Sequence, residues 1–151
     1  MRYLIPEFTG LGDFIQKTPM IQTIKELDAG AEIFLIGDNR WSGLDLVRAS
    51  PIISGVCDIQ QLVDLKIPEN YTNRDIEKLY KRLTRSQKIA IETWLFQSSW
   101  DVFFDNSESD VPGSIMKIIE KNPKGKVIRH VELDQIIHKV GAFGVGRVFR
   151  P

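Results

Sequence analysis

The chain has 151 residues, 42% of them hydrophobic and 26% charged, the composition of one globular domain with a single core. Lysine plus arginine and aspartate plus glutamate number twenty each, so there is no positive field to gather nucleic acid and no acidic excess to mark a disordered tail. The lone Cys57 excludes an internal disulfide and, close to Val56 and Ile59, reads as a small buried hydrophobe, which fits a reducing cytoplasm.

The opening Met1-Arg2-Tyr3-Leu4-Ile5 is a short apolar run broken by Pro6 and Glu7, so no signal peptide is expected. No run reaches 18 consecutive apolar residues, which excludes a transmembrane helix and leaves only peripheral contact with a membrane. Tyr3 to Ile5 reads as a strand and Thr9-Gly10-Leu11-Gly12 as a tight loop. Phe14, Thr18, Ile21, Ile24 and Leu27 then fall at near-helical spacing. Thr18 is a good N-cap and Pro19 is favoured at a first helical position, so a break or kink is predicted near Thr18.

Asp28-Ala29-Gly30 is a helix stop. Ile33 to Ile36 follows as a buried strand closed by Gly37-Asp38-Asn39. Trp41, Leu44, Leu46 and Val47 mark a second helix ended by Ser50-Pro51, and Ile53 to Ile59 a third strand. Two successive strand-helix-strand crossovers imply a parallel sheet with right-handed connections and a central first strand. Between Thr72 and Gln97, Ile76, Leu79, Tyr80, Leu83, Ile89, Ile91, Leu95 and Phe96 fit two helices or one bent helix. Trp100 to Asp105 is a strong buried strand, Asn106 to Asp110 a turn, Pro112 to Lys121 a helix, Val127 to Val131 a fifth strand and Leu133 to Val140 a last short helix. This places one domain over 1–141, with 142–151 the start of a linker or a disordered tail. The glycines at 141, 144 and 146 do not sit between a strand and a helix and are not read as a phosphate loop.

The segment richest in chemistry is Gly10-Leu11-Gly12-Asp13, between the first strand and the first helix. Glycines there allow close backbone approach, and a helix amino terminus offers free N–H groups on the edge where open parallel sheets bind ligands. Asp13 stands at that mouth; its plain structural role would be to cap the helix or pair with its dipole. Position 15 is Ile, so the third glycine of a dinucleotide-binding loop is missing. Lys17, Arg40, Trp41, Asn106 and Ser107 also fall on the predicted carboxyl edge, where each is a candidate sugar or phosphate ligand or an ordinary solvated side chain. His130 and His138 lack partners at metal-ligand spacing, and no metal site is assigned. Arg74, Lys78, Lys81, Arg82, Arg85 and Lys88 form a locally basic face diluted by Asp75, Glu77 and Glu92, read as solvated.

Leu11-Gly12-Asp13, then Thr18-Pro19, Gly30-Ala31-Glu32-Ile33, Leu35-Ile36-Gly37 and the stretch Leu46 to Val56 together resemble the opening of family 9 glycosyltransferases, the group containing the bacterial heptosyltransferases of lipopolysaccharide biosynthesis. Ser99 to Asp105 is similar to a later strand of that family, whereas Asn106-Ser107-Glu108-Ser109-Asp110 departs from the family's next segment. The resemblance implies an α/β, Rossmann-like parallel sheet flanked by helices, as the amino-terminal half of a GT-B fold. It further implies that this half binds the sugar acceptor, beside Gly10, Leu11 and Gly12, while Lys17, Arg40, Trp41, Asn106 and Ser107 are candidate binding residues by their place on the carboxyl edge. The same resemblance implies that the nucleotide-sugar donor is held mainly by a second domain, that Asp13 is the catalytic base of an inverting transfer needing no cofactor or metal, and that this half alone is inactive. The rival expectation is a non-catalytic Rossmann-like binding or interaction module.

Overall fold

The computed structural model describes residues 1–105, 110–122 and 125–129. In chain order it runs β1 (Arg2–Glu7), α1 (Leu11–Leu27), β2 (Glu32–Gly37), α2 (Gly43–Val47), β3 (Gly55–Asp58), α3 (Ile59–Leu62), α4 (Asn73–Lys81), α5 (Arg85–Ser98), β4 (Val102–Asp105), α6 (Gly113–Ile119) and β5 (Lys126–Arg129). The five strands form one all-parallel sheet in the order β3-β2-β1-β4-β5. The first strand is central, as expected, because β4 pairs with the edge of β1 opposite β2. The chain builds outward from β1 on one side, then returns to build on the other, so the order reverses between β1 and β4.

Strand alternation explains why both faces of the sheet are covered. Leu4, Ile36, Cys57 and Phe103 point to one side and pack with Ile76, Tyr80, Ile91, Leu95, Ile115 and Ile119 from α4, α5 and α6. Ile5, Ile33, Leu35, Val102 and Phe104 point to the other and meet Phe14 and Ile21 of α1 and Leu44 of α2. Pro6 is unusual in a central strand because it cannot donate to a ladder. Its pairing with Ile36 of β2 persists, but the β1–β4 register ends at Leu4 and Phe103, so Pro6 lies past the β4 ladder.

One expectation about the helices changes and another is narrowed. No break occurs at Thr18: α1 is continuous from Leu11 to Leu27 with Pro19 inside it. A proline at 19 removes the bond to the carbonyl four residues back, and the Thr18 hydroxyl donates to that carbonyl, Ile15 O, at 2.7 Å. The threonine therefore mends the helix instead of starting a new one. The segment from Thr72 to Gln97 is two helices, each opened by a reciprocal capping box, Thr72 with Asp75 and Thr84 with Gln87. The one-turn α3 has no separate sequence signal. The expected helix over 133–140 and the linker over 142–151 lie outside the described residues. Among the described residues, no helix is long and apolar enough to cross a membrane. Cys57 is free and buried, and burial pushes its thiol up to about 12, the state of a packed hydrophobe.

Candidate functional site

The carboxyl ends of β1 and β2 carry two groups of polar side chains, one on each face of the sheet. On the α1 side, Glu7 ends β1 and is 3% exposed. It is enclosed by Phe14 and by the backbone of Gly43, where an added Cβ would come within 3.3 Å of both side chains. Its Oε2 has no hydrogen-bond partner among the described residues. Burial raises the Glu7 carboxyl to about 7; Lys17 opposes the shift, while Asp38 and Asp13 add to it. Lys17, also buried, donates from Nζ to Pro6 O at 3.3 Å, so its ammonium serves the strand end and not an open surface.

Asp13 lies in the first turn of α1 and is exposed. It does not cap the helix: the N-cap position is Gly10, which brings no side chain to the free N–H groups. A carboxylate in a first turn still interacts favourably with the helix dipole. Leu11 and Gly12 are exposed beside it, and an added Cβ at Gly10 or Gly12 would meet nothing within 4 Å. Openness, not backbone strain, is what these two glycines provide.

On the α4 side, Asp38 follows β2 and is 1% exposed. Three neighbours satisfy it. The Tyr80 hydroxyl donates to Oδ2 at 2.7 Å, and Arg40 Nε approaches the same carboxylate at 2.8 Å, a buried and charge-assisted pair. The Gln60 side-chain amide donates to the Asp38 backbone carbonyl. Arg40 Nη2 also donates to Phe8 O at 2.8 Å, tying the β2 loop to the end of β1. Burial works against the Arg40 charge, but Asp38 outweighs it and raises the guanidinium further. Burial and the Asp38 charge push the Tyr80 phenol far up, so it stays a donor.

This network fixes the base of the loop after β2 and leaves its tip in solvent. Asn39 and Ser42 flank Arg40 and Trp41 and hold left-handed φ values of 57° and 60°, which cost about 1 kcal/mol or more each in non-glycine residues. The Arg40 guanidinium lies 5.6 Å from the centre of the Tyr71 ring, and the Trp41 ring is 6.0 Å from the same tyrosine. Trp41 is 49% exposed.

Two hollows open beside this tip. One, of about 340 Å³, lies between the end of β1 (Phe8 to Gly10), the start of α4 (Asn73, Ile76, Glu77) and Asp110 to Pro112. The other, of about 670 Å³, is bounded by Gln60, Ile67 to Glu69 and Tyr71 to Asn73. Arg40, Trp41 and Asn73 line both. Of the residues singled out from sequence, Gly10, Arg40 and Trp41 come together here. Leu11, Gly12 and Asp13 follow on the adjoining helix turn without lining either hollow, Lys17 is turned to Pro6 O, and Asn106 and Ser107 lie outside the described residues, as do His130 and His138.

Glu7, Asp38 and Tyr80 are not legible from sequence as site residues. Glu7 ends an apolar run, Asp38 sits in a Gly-Asp-Asn turn signal, and Tyr80 reads as helix core. The available clue is position: a carboxylate immediately after a parallel strand lies on the carboxyl edge. Among the described residues, no cluster of three or more His, Cys, Asp or Glu side chains is placed to hold a metal.

No protein-family model matches the chain, and no match is found among curated proteins. Among solved structures the chain is similar to a UDP-N-acetylglucosamine 2-epimerase, at 10% identity and a TM-score of 0.49, over 85% of this chain and 32% of that one. The chain thus spans about a third of that structure's length. Its assignment as a Rossmann-like α/β domain rests on its own strand order and all-parallel register.

Proposed function

We propose that this chain is the acceptor-side domain of an inverting glycosyltransferase of the family 9 type, with Asp13 as general base. The observation that carries the reading is the cleft at the carboxyl end of β1. It adjoins the point where the sheet order reverses, it is bounded by Gly10 and Arg40, and the helix turn bearing the exposed Asp13 begins at that same Gly10. In this mechanism an acceptor hydroxyl gives its proton to the Asp13 carboxylate as its oxygen attacks the anomeric carbon, and the nucleoside diphosphate departs from the opposite face. The open backbone at Gly10 and Gly12 leaves room for the acceptor ring. A nucleotide-sugar donor requires a second domain facing this edge, and the setting consistent with such chemistry is cytoplasmic, with any membrane contact peripheral.

A second reading is favoured by one observation: Asp13 lines neither hollow, so the cleft could bind a ligand without chemistry, as a Rossmann-like binding module. A donor screen separates them. The polypeptide carrying this chain together with its donor-binding domain is incubated with a panel of nucleotide sugars and glycan acceptors, and release of nucleoside diphosphate is followed. Acceptor-dependent release with one donor supports the transferase. Acceptor binding with no release from any donor supports the binding module.

A further inference from the structure

We infer that the cleft around Trp41 takes an uncharged oligosaccharide of two or more rings, and not a phosphorylated or otherwise anionic ligand. The inference deepens the acceptor-site reading and rests on it for the word acceptor, but the binding it describes is independent of catalysis.

The charge balance of the lining comes first. Among the described residues lining the two hollows, the carboxylates are Glu69, Glu77 and Asp110, and the one cation is Arg40. That guanidinium is already committed: Asp38, buried beneath it, lies 2.8 Å from Nε, and Nη2 is held by Phe8 O. An anionic ligand would therefore meet three carboxylates and a cation whose charge is already countered, an unfavourable field for phosphate or sulfate.

Shape and chemistry supply the second part. The two hollows share Arg40, Trp41 and Asn73, so they flank one ridge and offer a path longer than a single ring. At the ridge stands Trp41, half exposed and braced by the tilted ring of Tyr71, on a loop whose two left-handed residues and buried Asp38 anchor fix its direction. An aromatic face of this kind suits the C–H face of a pyranose, while the ring's hydroxyls need both donors and acceptors at its edge. Asn73 supplies both, and Glu69, Glu77 and Asp110 supply acceptors. A hydroxyl-rich, uncharged ligand satisfies all of these groups; an anion satisfies few.

The test is a glycan array carrying neutral, phosphorylated, sulfated and sialylated glycans, probed with the protein and followed by titration of the best neutral binder, with UDP and inorganic phosphate as competitors. The expected result is binding confined to neutral oligosaccharides, unaffected by UDP or phosphate. Affinity should fall about tenfold or more in Trp41→Ala and be largely restored in Trp41→Phe. Trp41 is half exposed, so the fold should survive either change. If the alanine variant unfolds, saturation transfer from the wild-type indole protons to the sugar C–H protons reads the same contact. Preference for anionic glycans, displacement by UDP or phosphate, no binding to any neutral glycan, or undiminished binding by a folded Trp41→Ala protein would each overturn the inference. Neutral binding without any transfer would remove the catalytic reading and leave this one. Transfer to an anionic acceptor would do the reverse.

Discussion

Glu7→Gln should flatten the dependence of stability on pH between about 4.5 and 7, because burial holds the proton on the Glu7 carboxyl well above the usual carboxylate range. In an unfolded chain this carboxyl titrates near 4.5; in the folded protein, burial raises it to about 7. The groups facing it, Lys17 and the Thr9 backbone N–H with opposing sign and Asp38 and Asp13 with the same sign, leave burial the dominant cause. A raised carboxyl favours the folded state while it is protonated. Its contribution is complete below about 4.5 and is lost as pH rises toward about 7, since over that range only the unfolded chain releases the proton. The difference between 4.5 and about 7 corresponds to roughly 3 kcal/mol at about 1.4 kcal/mol per tenfold change in affinity. Glutamine keeps the shape and stays neutral, so the variant should match the wild type near pH 4 and exceed it by up to roughly 3 kcal/mol at pH 8, on the order of 6 to 12 °C in melting temperature for a domain of this size. Urea or thermal melts of both proteins across that range measure the difference. Melting curves that stay parallel at every pH would show that Glu7 is ionised and satisfied in the folded state, and burial would not govern its proton.

Two further changes test the packing around the cleft. Tyr80→Phe removes the 2.7 Å hydrogen bond to the buried Asp38 and should cost about 2 kcal/mol in chemical denaturation, with a lowered melting temperature even though no apolar area is lost; an unchanged midpoint would mean that Asp38 is held by Arg40 alone. Gly37→Ala would drive a Cβ into the Glu7 carbonyl group on the paired strand, far inside van der Waals contact, so β1 and β2 must separate. That protein should be insoluble or destabilised by several kcal/mol, and a soluble variant with a normal melt would show that the strands can part freely at this end.

The sheet is legible because each strand is a short apolar run bounded by glycine, proline or polar turns, and because strand-helix alternation leaves few topologies. Residue periodicity also picks out inward positions such as Phe14 and Ile21 of α1, Ile76 and Tyr80 of α4 and Ile91 and Leu95 of α5, whereas Leu27, Ile89 and Phe96, counted in the same patterns, are exposed. The break predicted at Thr18 does not form because the cap preference of Thr-Pro is a local rule, while the Ile15 carbonyl left over by Pro19 is satisfied by a hydroxyl one residue before it. The carboxyl edge is legible only in part. Gly10, Arg40 and Trp41 follow strand ends in sequence and converge on one cleft, whereas Lys17, expected one turn along the same edge, points back to Pro6 O because α1 lies flat on the sheet with that position inward. The partnership of Asp38 with Tyr80, 42 residues apart, carries no sequence signal of its own, since it arises only when α4 is laid across the face beneath β2.

The most direct test of the account is the rate of glycosyl transfer by the Asp13→Asn polypeptide, complete with its donor-binding domain, measured beside its melting temperature. Asp13 is exposed and caps nothing, and its interaction with the helix dipole is worth only about 0.3 to 1 kcal/mol, so the asparagine variant should melt within a few degrees of the wild type. Transfer should fall by a factor of about 100 to 10,000 while acceptor and donor affinities stay within a few-fold, the pattern of a lost proton acceptor. Normal transfer by the well-folded Asp13→Asn protein would contradict the account and take Asp13 out of the chemistry.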